Sequence, residues 1–305
     1  MRTILLWMAR NRLLKTYLPR LWFARRAVRK FMPGETVEDA LEAAEQFRPL
    51  GIGVLLTQLG ENLTHPDQAQ AVADHYHDVV RKIMARGMDA EISVKPTQLG
   101  LDLDPDATLQ HLRSLASAAA EANGTLWLDM EGSAYTERTL DLYRRLKADH
   151  PNVGICLQSY LRRTPDDIAS LTPLRPAIRL VKGAYDEPAA IAYRDKGQVD
   201  ANYLALAVSF LKEGRGRPIR LGLGTHDVAL IEQIAAQVAP AGIDREGFEI
   251  EMLYGIRTGE QFRLAKAGYR VQVLIAYGDA WYPWYMRRLA ERPANVTFAI
   301  RSLLP

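Results

Sequence analysis

Two adjacent arginines, Arg287 and Arg288, lie in the segment WYMRRLAERP, which has no glycine and a proline only at its end. This composition predicts a helix. Adjacent guanidinium groups repel each other unless an anion offsets their charge, and their paired donors suit the two oxygens of a carboxylate or phosphate. The pair therefore indicates an anion-binding role, with a solvated run of surface charge as the structural alternative.

Further polar residues follow apolar, strand-like runs. Lys95 ends the run EISVK, Asp129 lies near the end of TLWLDM, and Thr225 and His226 follow a run that ends in GLG. A charged side chain at the end of a buried strand must be paired or solvated. If these strands end at one edge, they surround a polar basin lined by Thr57, Gln58, Lys95, Asp129, Glu131, Gln158, Lys182, Thr225, His226, Tyr277 and Asp279.

Metal and nucleophilic chemistry have little support in the sequence. It contains no H-E-x-x-H and no C-x-x-C motif, and His75 and His77 point to different faces of a predicted helix, so no metal site is expected. There is no G-x-S-x-G motif, and Cys156 lies inside an apolar run, as a buried structural thiol would. An anion-binding site with few acid–base groups remains, and it suits a reaction whose difficult step belongs to a bound cofactor.

The elements that must position these residues alternate regularly. Eight apolar, β-rich runs are separated by amphipathic, helix-favouring segments, which predicts parallel strands joined by crossovers. Eight units close a (βα)8 barrel, whose chemistry collects at the C-terminal ends of the strands. An open doubly wound sheet is the alternative, but no G-x-G-x-x-G follows the first run. The runs span residues 51–57, 91–95, 125–130, 153–158, 177–183, 219–225, 248–253 and 271–278.

The charge of the 305-residue chain is unevenly distributed. Residues 1–31 contain nine Lys or Arg and no Asp or Glu, which leaves the remainder mildly acidic and argues against nucleic-acid binding by the body. We therefore divide the chain into a basic amphipathic helical arm, 1–48, and a catalytic barrel, 49–305. No apolar run in the arm reaches the roughly 20 residues that span a bilayer.

Two interpretations of the arm stay open, because its apolar residues alternate with its charges. Its helices either rest on anionic lipid or pack on the body with solvated basic faces. The single cysteine fits a reduced compartment. We expect a cytoplasmic protein with peripheral contact at the inner face of the membrane through residues 1–31.

The segment RLVKGAY at 179–185 resembles the proline dehydrogenase family of FAD enzymes, which are built on a distorted (βα)8 barrel. The resemblance runs from about residue 50 to the C-terminus and implies a C-terminal helix that covers the barrel mouth. Seven further motifs agree in order: LGEN at 59–62, SVK at 93–95, LDMEG at 128–132, LQSYLRR at 157–163, GTHD at 224–227, EMLYGIR at 251–257 and YMRRLAER at 285–292.

The resemblance implies roles for individual residues. Arg179 matches the arginine that hydrogen-bonds the flavin N5 region, where a fixed cation favours the reduced, more negative flavin. Lys95 and Asp129 match active-site charges near the substrate, although a mutual salt bridge is the structural alternative. Arg287 and Arg288 match the pair that binds the amino acid's carboxylate. The remaining cofactor-binding positions are Met130, Gln158, Val181, Lys182, Gly183, Thr225 and His226.

The implied reaction is oxidation of L-proline to 1-pyrroline-5-carboxylate by hydride transfer to flavin N5, with electrons passed to a quinone. The chain departs from the family pattern in its last apolar run, where Leu274 replaces the tyrosine that flanks the proline ring and Ala276 replaces a proline. Glu251 also stands where glutamine is usual. The leucine leaves a second expectation, in which the same chemistry acts on a ring-substituted proline such as hydroxyproline, or on another cyclic amino acid.

Overall fold

Eight parallel strands form a closed barrel in the computed structural model, which describes residues 8, 11–18, 21–60 and 63–291. Each strand pairs with the next, and β8 closes the barrel by pairing with β1. The predicted (βα)8 barrel is therefore confirmed. The strands are β1 Gly53–Gln58, β2 Ala90–Val94, β3 Leu126–Leu128, β4 Val153–Gln158, β5 Ala177–Val181, β6 Arg220–Gly224, β7 Glu249–Leu253 and β8 Arg270–Tyr277.

Helices connect successive strands around the outside of the barrel. They bury an apolar stripe against the outer faces of the strands, which forms the main core. Within the described ranges the helices are α1 Arg12–Tyr17, α2 Trp22–Val28, α3 Val37–Glu45, α4 Pro66–Arg86, α5 Pro105–Glu121, α6 Thr136–Asp149, α7 Thr164–Leu171, α8 Lys196–Glu213, α9 Val228–Val238, α10 Thr258–Lys266 and α11 Trp281–Glu291.

Helix α11, which follows β8, lies over the mouth of the barrel instead of along its side. It packs in an apolar cluster with Leu59 and Ala276, which lie at the C-terminal ends of β1 and β8. The place beside β8 and β1 is taken by α3, from the N-terminal part of the chain. This exchange of helices is the distortion expected of the barrel, and it carries Arg287 and Arg288 to the C-terminal face.

The described part of the N-terminal arm packs against α11. The rings of Phe31 and Tyr285 lie 5.8 Å apart, and Trp281 Nε1 donates a hydrogen bond of 3.2 Å to Glu35. Residues 1–7, 9, 10, 19 and 20 of the arm, and 61, 62 and 292–305 of the barrel segment, lie outside the described residues. Among the helices the structure describes, none is long and apolar enough to cross a membrane. The division at residue 48 stays a prediction.

Candidate active site

Arg179 lies at the centre of the charged residues inside the barrel and is only 3% exposed. Its Nη1 donates to Asp129 Oδ1 at 3.0 Å, and its Nε donates to Glu251 Oε2. Burial alone would lower the pKa of Arg179, but the two carboxylates raise it above its ordinary value, so the guanidinium stays charged. Its Nη2 is buried and has no hydrogen-bond partner in the described structure.

Two residues that the sequence analysis did not select hold this arginine in place. The fully buried Ser93 hydroxyl accepts a hydrogen bond of 2.9 Å from Arg179 and donates one of 2.8 Å to Asp129. The indole of Trp127 lies against the guanidinium, 4.6 Å from Cζ to the ring centroid. Both belong to apolar runs, in which neither a serine nor a tryptophan signals chemistry.

Glu251 is the other residue whose importance emerges only from the packing. It projects from β7 into the barrel, is 4% exposed, and ion-pairs with Arg179 on the side opposite Asp129. Burial raises the pKa of Glu251 to about 7, although Arg179 acts in the opposite direction. This glutamate departs from the family pattern, and its sequence context predicted no role for it.

Lys95 follows β2 directly and is buried at the same end of the barrel. The structure does not pair it with Asp129, whose Oδ1 is engaged by Ser93 and Arg179. No described carboxylate forms an ion pair with Lys95. The salt-bridge alternative for these two residues is therefore wrong, because the carboxylate is held by the arginine that crosses from β5.

Gln158, the last residue of β4, presents a buried polar atom to the mouth. Its Nε2 donates to the carbonyl oxygens of Met130 at 3.3 Å and Glu131 at 3.2 Å, which fixes the orientation of the amide. Its Oε1 is buried and has no hydrogen-bond partner among the described residues. An acceptor held in this way is suited to an N–H donor of a bound molecule.

Gly183 follows β5 in a backbone conformation that excludes other residues. Its φ is +112°, and a Cβ at this position would collide with the ring of Tyr160. The neighbouring Val181 ends the strand and leans over Gly224 of β6, where a Cβ would lie 2.7 Å from Cγ1 of the valine. The missing side chains let Tyr160 pack against the backbone of Gly183 and Val181 pack against that of Gly224.

The next residues at this end are held by ion pairs and backbone contacts. Lys182 Nζ lies 2.9 Å from Asp227 and 2.5 Å from Asp200. The Thr225 hydroxyl accepts a hydrogen bond from the Asp227 backbone N–H at 3.2 Å. His226 Nε2 accepts from the backbone N–H of Leu253 at 2.9 Å, which leaves the proton of the neutral ring on Nδ1. These contacts fix the loop from β6 to α9 against β5 and β7.

Helix α11 brings the two arginines over the strands. The Cζ of Arg287 lies 5.7 Å from the ring centroid of Tyr185, in the loop after β5, and Arg288 is half-buried beside it on the helix. Leu274 is half-buried between the apolar cluster under α11 and the interior layer that contains Trp127. The structure thus brings the buried charges around Arg179 and the two arginines of α11 to the same end of the barrel.

The comparisons with known proteins agree with this arrangement. The Proline dehydrogenase family profile matches residues 40–301. Proline dehydrogenase 1 of Bacillus subtilis strain 168 is 35% identical over 304 residues, which is all of this chain and 99% of that protein. Proline dehydrogenase of Deinococcus radiodurans is 38% identical over 280 residues, or 90% of this chain and 89% of that protein. The chain belongs to the proline dehydrogenase family.

A solved structure shows the same fold within a longer protein. The barrel of proline utilization A (PutA) from Bdellovibrio bacteriovorus superposes with a TM-score of 0.82 at 22% identity. The match covers 95% of this chain and 38% of the PutA chain. The shorter proline dehydrogenases named above match this chain over nearly their whole length, so it is of the monofunctional type.

The residues at the mouth fit the flavin that the proline dehydrogenase family implies. The buried Oε1 of Gln158 and Nη2 of Arg179 offer one acceptor and one donor without partners among the described residues, as the edge of a flavin ring requires. Within the described residues, no cluster of His, Cys, Asp and Glu suited to a metal ion is present.

Proposed function

We propose that this protein is an FAD-dependent proline dehydrogenase that oxidises L-proline to 1-pyrroline-5-carboxylate. The observation that carries the proposal is the buried Arg179, held by Asp129 and Ser93 with one guanidinium nitrogen unpaired, below a helix that bears Arg287 and Arg288. When bound, FAD would accept a hydride, which is two electrons and one proton, from the carbon next to the proline nitrogen.

The chain's own residues bind and orient the substrate. Arg287 and Arg288 present paired donors that suit the carboxylate of an amino acid. Lys95 adds positive potential at the mouth, and Asp129 fixes the plane of the Arg179 guanidinium through its 3.0 Å contact. Since only the unprotonated amine can give up hydrogen from the adjacent carbon, turnover should rise with pH through the apparent pKa of the bound amine.

We assign the cofactor to residues on β3 to β6 and the loops that follow them. Gln158 Oε1 would accept a hydrogen bond from the flavin ring, next to Met130, and Arg179 Nη2 would donate one. Val181 and Gly183, at and just after the end of β5, would bound the ring. Lys182, Thr225 and His226 would hold the ribityl and phosphate portion, with Lys182 ion-paired to Asp227 and Asp200.

L-Proline is a better substrate for this site than the ring-substituted proline suggested by Leu274. Relatives 35–38% identical over most of their length are named for proline itself, and no comparison supports a substituted analogue. Leu274 adds apolar surface between two apolar clusters and offers no hydrogen-bonding group for a ring hydroxyl. The expectation of a hydroxyproline substrate is therefore withdrawn.

We further propose that the electrons pass to a quinone and that the arm brings the protein to the membrane surface. Leu13 and Trp22 in the first two helices are 70% and 72% exposed, and Tyr17 lies in the same stretch. The surrounding residues 1–31 carry only positive charge among their acidic and basic groups. Apolar side chains within a basic segment suit a surface of anionic lipid.

Flotation with vesicles tests the membrane proposal. The double variant Leu13→Ala/Trp22→Ala should lose binding to phosphatidylserine-containing vesicles, whereas Met84→Ala/Ile191→Ala, which removes exposed apolar side chains of the body, should keep it. Equal binding by both variants, or equal binding of the unaltered protein to neutral vesicles, would show that the arm does not bind the protein to anionic lipid.

The enzymatic proposal is tested on the purified protein. We expect a flavin absorption spectrum, FAD released on denaturation, and turnover of L-proline with a soluble quinone as acceptor. The product should react with o-aminobenzaldehyde, which traps the cyclic imine. A protein that takes up no flavin from added FAD would refute the assignment of the cofactor.

A further inference from the structure

Glu251 occupies a position inside the barrel that the proposed reaction leaves without a function. One carboxylate oxygen accepts a hydrogen bond from Arg179 Nε. The other, Oε1, is buried without a hydrogen-bond partner among the described residues and lies over Gly222, where a Cβ would collide with it. Because Gly222 has no side chain, the carboxyl group of Glu251 can pack directly against the neighbouring strand β6.

The carboxyl group of Glu251 determines the net charge beside Arg179. Asp129 and Glu251 flank the guanidinium from opposite sides, through Nη1 and Nε. With both acids ionised, the three side chains carry one net negative charge. With Glu251 protonated, the three side chains are neutral. Arg179 Nη2, which has no partner among the described residues, then presents its positive charge without an excess of negative charge beside it.

The surroundings of Glu251 favour its protonated form near neutral pH. Burial is the largest influence and raises its pKa to about 7 against the opposing effect of Arg179. A second acid, Glu249, acts in the same direction from the same strand. The other charged and titratable groups that face the site are Arg220 on β6, Asp129 after β3, Cys156 on β4 and Tyr203 on α8.

We propose that Glu251 is a positioning residue that anchors Arg179 and, by gaining or losing a proton, sets the charge that the arginine presents to the bound cofactor. This inference rests on the proposed function, since it concerns a flavin at Arg179. Reduction makes a flavin more negative, so the protonated, neutral cluster stabilises the reduced form, and the ionised cluster stabilises it less.

Two substitutions separate the two parts of this role. Glu251→Gln keeps an oxygen that accepts from Arg179 Nε and removes the charge. Glu251→Leu removes both the acceptor and the charge. Glu246→Gln, an exposed acid just before β7, is the matched control for the loss of one carboxylate.

The measurement is the midpoint potential of the bound flavin against pH, taken by spectroelectrochemical titration without any substrate. Between about pH 6 and about pH 9 the unaltered protein and Glu246→Gln should show the steeper fall, because reduction raises the pKa of Glu251 above about 7 and so draws a proton to it. Glu251→Gln should match them at the acidic end and have the higher potential at the alkaline end. Parallel curves for the unaltered protein and Glu251→Gln would overturn the proposal.

A second measurement uses the flavin-free protein and distinguishes this inference from the proposed function. The folded-state pKa of Glu251 lies above its unfolded value, so the folded protein binds the extra proton and loses stability as pH rises between the two values. The melting temperature of the unaltered protein should therefore fall relative to that of Glu251→Gln from about pH 5 to about pH 8. A constant difference would overturn the role of Glu251, whatever the protein oxidises.

Glu251→Leu tests the anchoring part. We expect a fall in kcat with L-proline that Glu251→Gln largely restores, while KM changes little, because the carboxylate-binding pair on α11 is untouched. Equal loss of kcat in both variants would show that the acceptor for Arg179 Nε is not what matters.

Discussion

Each end of the barrel contains an arginine that lies against the same tryptophan, half-buried at one end and buried at the other, and the two arginines differ in how many of their nitrogens are hydrogen-bonded. At the N-terminal end, Arg220 lies 5.1 Å from the Trp127 ring centroid and donates from all three of its nitrogens, to Glu91, Glu249 and Thr125. At the C-terminal end, Arg179 lies 4.6 Å from that ring, and its Nη2 has no hydrogen-bond partner in the part of the chain that the structure describes.

We therefore assign a structural role to the network around Arg220 and a chemical role to the network around Arg179. The acids around Arg220 also bind other groups, since Glu91 accepts from Trp127 Nε1 at 2.7 Å and Glu249 pairs with Arg270 at 2.7 Å. Such mutual satisfaction links β2, β6, β7 and β8 at the lower end of the barrel. The upper end leaves buried donors and acceptors available, which destabilises the empty protein and is explained by a ligand that completes them.

The largest effect is expected from Arg220→Met. Removal of this guanidinium leaves the buried Glu91 and Glu249 without their main partner, which should lower the free energy of unfolding by about 3–5 kcal/mol. Chemical denaturation measures this loss. If the two ends differ as described, kcat of the folded fraction should stay near that of the unaltered protein. A large fall in kcat with unchanged stability would reverse the assignment of the two ends.

Arg179→Met should have the opposite profile. Turnover of L-proline should fall on the order of 100-fold or more, as for removal of a preorganised donor in other active sites. The loss of stability should be smaller than for Arg220→Met, because Glu251 can take up a proton once the arginine is gone. Steady-state kinetics and denaturation on the same preparation decide this, and turnover within a few-fold of the unaltered protein would contradict the role of Arg179.

Gly183→Ala probes the close packing of Tyr160 on the backbone after β5. A Cβ is strained at a φ of +112° and meets the ring of Tyr160, so we expect a loss of about 1–3 kcal/mol in FAD affinity or stability. Fluorescence titration of the flavin-free protein with FAD measures the affinity. Gly216→Ala, at a positive φ with open space around it, is the control for backbone strain alone. Equal FAD affinity in the two variants would show that closeness to Tyr160 is unimportant.

The smallest effect is expected from Leu274→Tyr, at the boundary between the interior layer and α11. The larger ring should sharpen the preference for L-proline over trans-4-hydroxyproline by about tenfold in kcat/KM, the order associated with one altered apolar contact. A panel of proline analogues measures it. An unchanged preference would place Leu274 outside the substrate pocket.

The alternating strands and helices could be predicted from the sequence, but the contacts between side chains far apart in the sequence could not. All eight apolar runs became strands within about two residues of their expected bounds, because alternation and turn residues are local signals. The strand ends that carry Lys95, Asp129 and Gln158 follow from the same rule. The partners of Arg179 do not, since Ser93 and Glu251 lie 86 and 72 residues away and meet it only when the barrel closes.

Anaerobic addition of L-proline to the purified, FAD-loaded protein is the most direct test of the claim that the upper end of the barrel oxidises proline. The account predicts that L-proline bleaches the flavin absorption near 450 nm and that trans-4-hydroxyproline does so far less effectively. It also predicts that Arg179→Met slows the bleaching by L-proline on the order of 100-fold. A flavin that L-proline leaves oxidised while dithionite reduces it would contradict the account.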